Sequence, residues 1–575
     1  MWPLGRSNLQ QLVDAKDAER TAAIAEGLNE AGPATEDDHQ FLCATGSTAV
    51  AVHIARQVQS GQWTAGQVVR AYVRRAALVH SRFNCFTTVR FKEAIEEADA
   101  LDTGHAAHKT TRGRLLGVPI TIKDQYDLAG YDTSNGYSSW ANNPSSEDAG
   151  LVKILRDEGG IVLGKTNVCQ TLLFFETVNP VFGRTSNPWN PKHTCGGSSG
   201  GEATALSADA SALGIGTDKG GSLRIPSFYC GIYTLKPTLG RITKAGLSST
   251  CPGFDGVAVV GGPMGRSVED IDMVARVAFG QATQVSEALP PVPYREFVVT
   301  PSTHLRFGFY TFDGCMRASP ATQRAVLETV AALRNAGHEV VEFTPPDITT
   351  GVELFVGLTS ADGYSTMMEP IGSDPTMDEL FLVTLGPRLP GFVRSIVGWL
   401  VEKVLGDEKF RRTFNASKTS TVAEYFKLNT AHSEYINRWY KEVWDHGAFD
   451  GLIVPSQAIP APPHGSTKMV PQLAASTFIF NLLDFPTGVI PVTRVDATED
   501  VVTSEWLATG PSAANPVFTE VSGATPLYDA KAMSGLPVGV QIVGRRWEDE
   551  KVLAMMRIAD DALGKRSFGP GSWTP

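Results

Sequence analysis

The sequence lacks three features that mark common protein classes. Basic residues are not in excess: 50 lysines and arginines stand against 61 acidic residues, for a net charge of −11. This balance excludes a broad nucleic-acid-binding surface, which has to be basic. The seven cysteines include no Cys-x-x-Cys pair, which argues against a zinc or disulfide framework. No uncharged apolar run reaches about 18 residues, so no membrane-spanning helix is expected.

The amino-terminal segment also lacks the apolar run of a secretory signal, which indicates a cytoplasmic protein. What the chain does have is size, because 575 residues with 42% hydrophobic side chains can bury a large core. Residues 283–300 have the composition of a connector, but strand-like runs occur on both sides of them. We therefore expect one large domain rather than two.

Periodicity divides the chain into two parts. Residues 8–100 carry apolar side chains at helical spacing, with Thr64 placed as an N-cap. From Gly113 onward, short β-branched runs alternate with helical stretches such as 321–337, which predicts an α/β fold with a buried sheet flanked by helices. The predicted strands are 118–122, 160–164, 450–456, 487–493 and 537–544.

The sequence matches two known motifs, one of nucleotide-binding proteins and one of hydrolases. In neither case do the neighbouring residues predict the secondary structure that the motif requires. Residues 159–166 (GGIVLGKT) fit the Walker A pattern, yet a helical stretch precedes them and IVLG reads as a strand, so Lys165 falls at a strand end. The string GGSSGG (196–201) contains G-x-S-x-G, but the Pro- and Asn-rich segment before it cannot be the strand that a nucleophile elbow requires. A nucleotide-binding NTPase remains as an alternative function.

A glycine- and serine-rich segment runs from Cys195 to Cys230. A flexible linker of this composition would be solvated, whereas this segment is nearly free of large polar residues. Buried backbone without side chains lets amide N–H groups approach a substrate oxygen, as an oxyanion hole requires.

Three motifs in this region carry a resemblance. GVPITIKD (117–124), GGSSGGEA (196–203) and GIGTDKGGSLRIPSFYCGIYTLKPT (214–238) resemble the amidase signature family, hydrolases that use a Ser–Ser–Lys triad. Lys123 and Ser198 are 75 residues apart, and Ser198 and Ser222 are 24 apart. The resemblance extends from Thr64 to about Glu550 and is strongest to the fatty acid amide hydrolase branch and to fungal acetamidase-type amidases.

The resemblance implies a large mixed twisted sheet surrounded by helices, with an N-terminal helical region (1–100) packed on a catalytic domain (101–575). It also implies Ser222 as nucleophile, Ser198 as bridging serine after a cis peptide bond, and Lys123 as base. The expected oxyanion donors are the backbone N–H groups of Lys219, Gly220, Gly221 and Ser222. Expected supporting residues are Ser199, Asp218 and Arg224, and expected substrate-binding residues are Leu172, Ser198 and Thr217. No metal or cofactor is expected.

Each of these assignments has a simpler alternative. Free lysine titrates near 10.4, so Lys123 needs burial to act as a base, and the VPITI run before it supplies an apolar setting. A lone lysine in this context would otherwise pair with Asp124. Ser199 belongs to the hydrogen-bond network or caps the following helix. Asp218 and Arg224 are expected to orient the loop as an ion pair, and Leu172 lines the substrate site or packs in the core.

One position departs from the family pattern, and one segment suggests a membrane contact. Lys219 stands where relatives carry a small or apolar residue. Residues 389, 392, 393, 396, 397, 400 and 404 form an apolar helical stripe, with Trp399 and Val401 outside it. Such a stripe usually packs in a core, but the resembling segment (380–406) implies a cap that contacts the membrane surface through 389–404.

The expected activity is hydrolysis of a small-molecule amide, with fatty acid amides or N-acylethanolamines ahead of other substrates. Short-chain or aryl amides, and a role as the amidase subunit of an amidotransferase, remain alternatives. The sequence leaves a homodimer open.

Overall fold

An eleven-stranded mixed sheet runs through the chain and carries helices on both faces. The strand order is β1-β3-β2-β6-β8-β7-β12-β13-β11-β9-β10, and a second small sheet pairs β4 with β5. In the larger sheet β3, β2 and β6 are parallel, as are β11, β9 and β10. The computed structural model describes residues 3–43, 49–108, 113–282, 289–300, 302–508, 517–518, 525–569 and 571–573.

The strands are β1 (Phe86–Val89), β2 (Pro119–Lys123), β3 (Ile161–Thr166), β4 (Val178–Asn179), β5 (Gly183–Arg184), β6 (Leu213–Asp218), β7 (Tyr233–Lys236), β8 (Val260–Gly265), β9 (Arg306–Phe309), β10 (Glu339–Glu342), β11 (Gly451–Pro455), β12 (Thr487–Arg494) and β13 (Pro537–Val543). All five strands predicted from the β-branched runs are present, each within a few residues of its expected bounds. The predicted α/β fold with a large mixed sheet is confirmed.

The amino-terminal helices are α1 (Pro3–Ala31), α2 (Asp38–Cys43), α3 (Val50–Gln59), α4 (Ala65–Phe83) and α5 (Phe91–His108). Thr64 caps α4 as predicted, in a reciprocal capping box with Gln67. The expectation of an all-helical 8–100 is wrong at one point, because β1 lies between α4 and α5 and pairs with β3 at the sheet edge. This pairing joins the amino-terminal region to the main sheet.

The remaining helices are α6 (Gly150–Asp157), α7 (Gly200–Ser207), α8 (Arg224–Cys230), α9 (Val268–Ala278), α10 (Pro320–Asn335), α11 (Ile348–Thr359), α12 (Ser365–Met368), α13 (Phe381–Arg388), α14 (Gly391–Leu405), α15 (Glu408–Ala416), α16 (Val422–Trp439), α17 (Ala475–Leu482), α18 (Ser504–Ala508) and α19 (Asp549–Leu563). Of the expected connector 283–300, residues 289–300 have no regular secondary structure, and residues 283–288 lie outside the described residues.

Two apolar cores flank the sheet. Alternate residues of a strand point to opposite faces, and in β11 Ile453 belongs to one core while Leu452 and Val454 belong to the other. Helices α10 and α19 pack in the first core, and α11, α16 and α17 pack in the second. The second core supports the helices that surround the candidate site.

Helix α14 carries the predicted apolar stripe, but the stripe is not core. Its outward face is formed by Phe392, Ile396, Trp399, Leu400 and Val404, which are 46–75% exposed. The helix packs on α15 through its other side, where Gly398 lies against Arg411. Among the described residues, no helix is long and apolar enough to cross a membrane.

Candidate active site

The three sequence motifs lie together in the structure. Parallel strands bring their carboxyl ends to the same edge of the sheet, and the motif residues lie at or near this edge. Lys123 is the last residue of β2, and β2 runs parallel to β6, whose final residues Thr217 and Asp218 therefore lie beside it. The chain leaving β6 forms the loop 219–223, which ends at α8. The loop 195–199 lies before α7 and approaches the same edge.

Lys123 is completely buried and holds two hydroxyl groups. Its ammonium nitrogen Nζ lies 2.6 Å from Ser198 Oγ and 2.7 Å from Thr217 Oγ1. Thr217 Oγ1 in turn donates to Gln125 Oε1 at 2.7 Å. Burial lowers the pKa of Lys123 to about 7, because desolvation disfavours the charged amine. The amine is therefore set up to exchange protons near neutral pH.

The alternative pairing of Lys123 with Asp124 is not what the structure shows. Asp124 is the first residue after strand β2, and its carboxylate has other partners. Its Oδ2 accepts hydrogen bonds from the backbone N–H groups of Ser134 and Asn135, and its Oδ1 accepts from the Thr87 hydroxyl. Asp124 thus organises a neighbouring turn.

The three serines occupy distinct positions. The Gly197–Ser198 peptide bond is cis, and Ser198 is buried with its Oγ on Lys123. Ser199 does not cap α7; its Oγ donates to the Thr217 carbonyl at 3.3 Å, and its N–H donates to the Ser222 carbonyl at 3.3 Å. The Ser222 hydroxyl makes no hydrogen bond with any described residue, and Ser222 faces the cavity.

Asp218 and Arg224 hold the loop that carries Ser222. Both are fully buried, and their closest ion-pair contact is 3.0 Å, between Arg224 Nε and Asp218 Oδ2. Asp218 also accepts the N–H of Gly221 at 2.7 Å and the N–H of Leu223 at 3.1 Å. Burial would raise the pKa of Asp218, but the charge and hydrogen bonds of Arg224 lower it to about 2. The carboxylate is therefore ionised and fixes the loop from inside.

The expected set of four oxyanion donors needs one correction. Gly221 N–H is taken by Asp218, so it is not free for a substrate oxygen. Within the described residues, the N–H groups of Lys219, Gly220 and Ser222 have no acceptor. Gly221 has φ +122°, and a Cβ there would lie 2.3 Å from Thr477 Oγ1. Only glycine fits this tight loop.

A largely apolar cavity of about 1140 Å³, a volume that includes space open to solvent, lies over Ser222. We call the lining residues of α11, α13 and α15 the apolar wall: Val352, Phe355, Val356, Thr359, Leu382, Val383, Phe410, Thr413 and Phe414. Leu172 lines the cavity, as expected for a substrate contact, and has a left-handed backbone with φ +61°. Ser198 and Thr217 are not among the lining residues; both lie below it, around Lys123.

Comparison with known proteins decides the family. The profile of the Amidase family matches residues 67–553, which is most of the chain. The chain belongs to the amidase family. It is 31% identical to the acetamidase of Emericella nidulans over 528 residues, covering 90% of this chain and 89% of that protein. It is 32% identical to fatty acid amide hydrolase 1 of Caenorhabditis elegans over 520 residues, covering 88% and 87%.

The structural comparison agrees. A solved structure of a fatty acid amide hydrolase superposes on this amidase with a TM-score of 0.81 at 25% identity, covering 97% of this chain and 95% of that one. The family and its relatives make this chain an amide-hydrolysing enzyme, and they confirm the resemblance seen in the three sequence motifs.

The residues that match the Walker A pattern do not form a phosphate-binding loop in this amidase. Helix α6 ends at Asp157, and residues 161–166 form strand β3. Lys165 is fully buried, where its Nζ contacts the Asp132 carbonyl and donates to Thr133 Oγ1 at 2.9 Å. A lysine held inside the protein in this way cannot reach a nucleotide phosphate.

The amidase also uses residues that the sequence did not single out. Arg224 donates to Gln541 Oε1 at 2.8 Å and to the Thr477 carbonyl at 3.0 Å, and contacts Asn481. These partners lie in segments that resembled the family, but no spacing pointed to the contact.

Glu202 is a further buried group near Lys123 that the sequence did not single out. It accepts the hydroxyls of Thr121 and Thr166 at 2.7 Å each, and burial raises its pKa to about 8. Glu202 could have been identified from the sequence as a charged residue within the otherwise uncharged segment 200–207.

Proposed function

We propose that this amidase hydrolyses amides through Ser222 as nucleophile, Ser198 as proton bridge and Lys123 as base. The observation that carries the assignment is the 2.6 Å contact between the buried Lys123 amine and Ser198 Oγ. A desolvated lysine with a pKa of about 7 is half neutral near pH 7 and can accept a proton. Ser222 lines the cavity, where a substrate carbonyl has access, and its own carbonyl accepts the N–H of Ser199, the residue after Ser198.

The proposed reaction conserves protons through Ser198. As Ser222 Oγ attacks the carbonyl carbon, its proton passes to Ser198, and the Ser198 proton passes to the Lys123 amine. When the C–N bond breaks, Lys123 returns the proton through Ser198 to the leaving nitrogen. Water then hydrolyses the ester on Ser222 by the same relay. A rotation of the free Ser222 hydroxyl toward Ser198 completes the relay, and catalytic hydrogen bonds of this kind often tighten only with substrate bound.

The oxyanion would be held by backbone N–H groups of Lys219, Gly220 and Ser222. Each well-placed donor of this kind contributes about 3–4 kcal/mol to the transition state. Asp218 supports the same loop by accepting the Gly221 N–H, so Asp218 and Arg224 act by positioning the donors.

The proposed substrates are amides with a long apolar acyl group, such as fatty acid amides or N-acylethanolamines. The support is the lining of the cavity over Ser222, in which Phe, Leu and Val side chains predominate. Acetamidases among the relatives keep short amides as the alternative. Turnover of the purified single chain on decanamide, acetamide and benzamide tests the ranking: faster acetamide or benzamide hydrolysis would reverse it, and no turnover without a partner would favour an amidotransferase subunit.

Labelling identifies the nucleophile directly. A fluorophosphonate probe followed by mass spectrometry of the modified peptide should place the adduct on Ser222, and Ser222→Ala should remove it. The matched control is Ser227→Ala in the neighbouring helix α8, which should still be labelled. An adduct on another residue would overturn the assignment.

We also propose that the exposed apolar face of α14 contacts a membrane surface. Five large apolar side chains on one face of a helix, with Lys403 beside them, form the kind of surface that lies in the lipid interface. Trp399→Glu with Phe392→Glu should abolish co-sedimentation with phosphatidylcholine vesicles containing phosphatidylserine. Leu327→Glu, at an exposed position of α10, is the control and should leave co-sedimentation unchanged. Co-sedimentation retained by the Trp399→Glu, Phe392→Glu variant would contradict the proposal.

A further inference from the structure

Two lining residues of the cavity have charged side chains, and their partners differ. Glu379 is buried, and its Oε1 lies 3.0 Å from Nη2 of Arg184, which also pairs with Glu176. Lys219 is half-buried and has no acidic partner and no hydrogen-bond acceptor among the described residues. The lining therefore contains one carboxylate with a cationic partner and, among the described residues, one cation without an acidic partner at ion-pair distance.

The Lys219 ammonium rests against an aromatic face. Its Nζ lies 4.1 Å from the ring centroid of Phe254, a contact that attracts a cation but accepts none of its three N–H donors. Burial lowers the pKa of Lys219, while the more distant Cys251 and Asp362 oppose that shift. The ammonium donors of this half-buried side chain are therefore available to an anionic group.

The position of Lys219 links this cation to the reaction. The residue lies three positions before Ser222, and its backbone N–H belongs to the proposed oxyanion loop. Lys219 and Ser222 are both lining residues of the same cavity. A substrate bound with its carbonyl at Ser222 would therefore place its neighbouring atoms near Lys219.

We propose that Lys219 selects amides that also carry a carboxylate, by pairing its ammonium with that group. The inference rests on the proposed function, because it names the substrate class of the same site. A carboxylate would supply the missing acceptor and bring its own charge into contact with the cation. The chain's net charge of −11 would repel anions at long range, so a preference for them requires a local cation.

The carboxylate can lie on either side of the scissile bond, and matched substrates separate the two. N-decanoylglycine against N-propyldecanamide tests the leaving-amine side. Decanedioic acid monoamide against decanamide tests the acyl side. For each pair, the readout is the ratio of kcat/KM values, from the released amine or ammonia measured by mass spectrometry.

We expect the wild-type protein to prefer the carboxylate substrate of at least one pair by about tenfold or more, the range of a hydrogen bond to a charged group. Lys219→Met should remove this preference, and Lys219→Arg should retain part of it. Lys192→Met removes the same charge from an exposed position outside the cavity and should leave the ratio as in the wild type.

Each other outcome overturns the inference in a distinguishable way. If the neutral amides are hydrolysed and neither carboxylate substrate is preferred, the inference fails and the proposed function stands. If Lys219→Met lowers both members of a pair equally, the side chain serves the loop structure and not selection. If no amide is hydrolysed, the proposed function fails as well.

Discussion

The two sides of the cavity are built in opposite ways. The polar floor, which consists of Lys123, Ser198, Asp218, Ser222 and Arg224, comes from strand ends and glycine-rich loops within about a hundred residues of sequence. Four of these five side chains are buried and bonded to one another or to backbone. The apolar wall comes from three helices, is lined mainly by Phe, Leu and Val side chains and is partly exposed.

This difference suits the two parts to different tasks: the polar floor to the reaction and the apolar wall to the choice of substrate. Proton transfer needs donor and acceptor atoms held to within a few tenths of an ångström, which buried ion pairs and strand ends provide. Acyl binding needs only apolar area of suitable shape, which helices supply with tolerance for substitution. Changes to the floor should therefore affect all substrates, and changes to the wall should affect them unequally.

The largest effect is expected at the nucleophile. Ser222→Ala removes the attacking atom while the loop keeps its Asp218 contacts, so kcat should fall by about 10⁴-fold or more for every amide. Kinetics with long and short amides, and an unchanged melting temperature, check this. A residual rate near the wild type on any amide would contradict the assignment of the floor.

The base should give a large effect with a pH signature. Because the neutral amine accepts the proton and the Lys123 pKa is about 7, kcat/KM should fall about tenfold for each pH unit below that value and level off above it. Lys123→Met should lower kcat by about 10²–10⁴-fold and abolish this acid limb. A variant that keeps the wild-type pH profile would show that another group is the base.

Breaking the buried ion pair between Asp218 and Arg224 should lower the stability of the protein more than it changes substrate selectivity. Asp218→Asn leaves Arg224 uncompensated in the protein interior, so the free energy of unfolding should fall by about 3–5 kcal/mol. Urea denaturation at pH 7 measures it. The exposed Asp14→Asn is the matched control and should change the value by less than about 0.5 kcal/mol. Equal changes in the two variants would mean that the floor is not held by this pair.

The wall should give the smallest and most selective effect. Val383→Trp fills part of the cavity, so the ratio of kcat/KM for decanamide to that for acetamide should fall by about tenfold. Phe381→Trp changes the same helix at its exposed side and serves as the control. A fall of equal size for both amides would break the division between floor and wall.

Local signals made much of the fold predictable. Continuous β-branched runs between glycines and prolines located five strands, and Thr64 followed by Gln67 located the start of α4. Strand β1 was missed because Phe86–Val89 is only four residues long and lies between two helices. The periodicity in 389–404 identified an apolar stripe, but periodicity does not tell which side of a helix is covered. Four of the seven stripe residues, at positions 392, 396, 400 and 404, are exposed.

The residues of the candidate site that lie within the three sequence motifs could be predicted from the sequence. The motifs located Lys123, Ser198 and Ser222, and the first two are in contact. Thr217 was expected to bind substrate, yet its hydroxyl contacts the Lys123 amine. The contacts of Arg224 with Asn481 and Gln541 span 257 and 317 residues. Such contacts depend on sheet topology, which no local pattern encodes.

The position of Arg224 between distant segments has a consequence for the connector at 289–300. A protease that cut there would leave Asp218 and Arg224 on one fragment, and Thr477, Asn481 and Gln541 on the other. The fragment that carries Ser222 would keep the Asp218 contacts of the loop, but Arg224 would lose these partners unless the other fragment stayed bound. We therefore expect a cut chain to turn over substrate only while its two fragments remain associated.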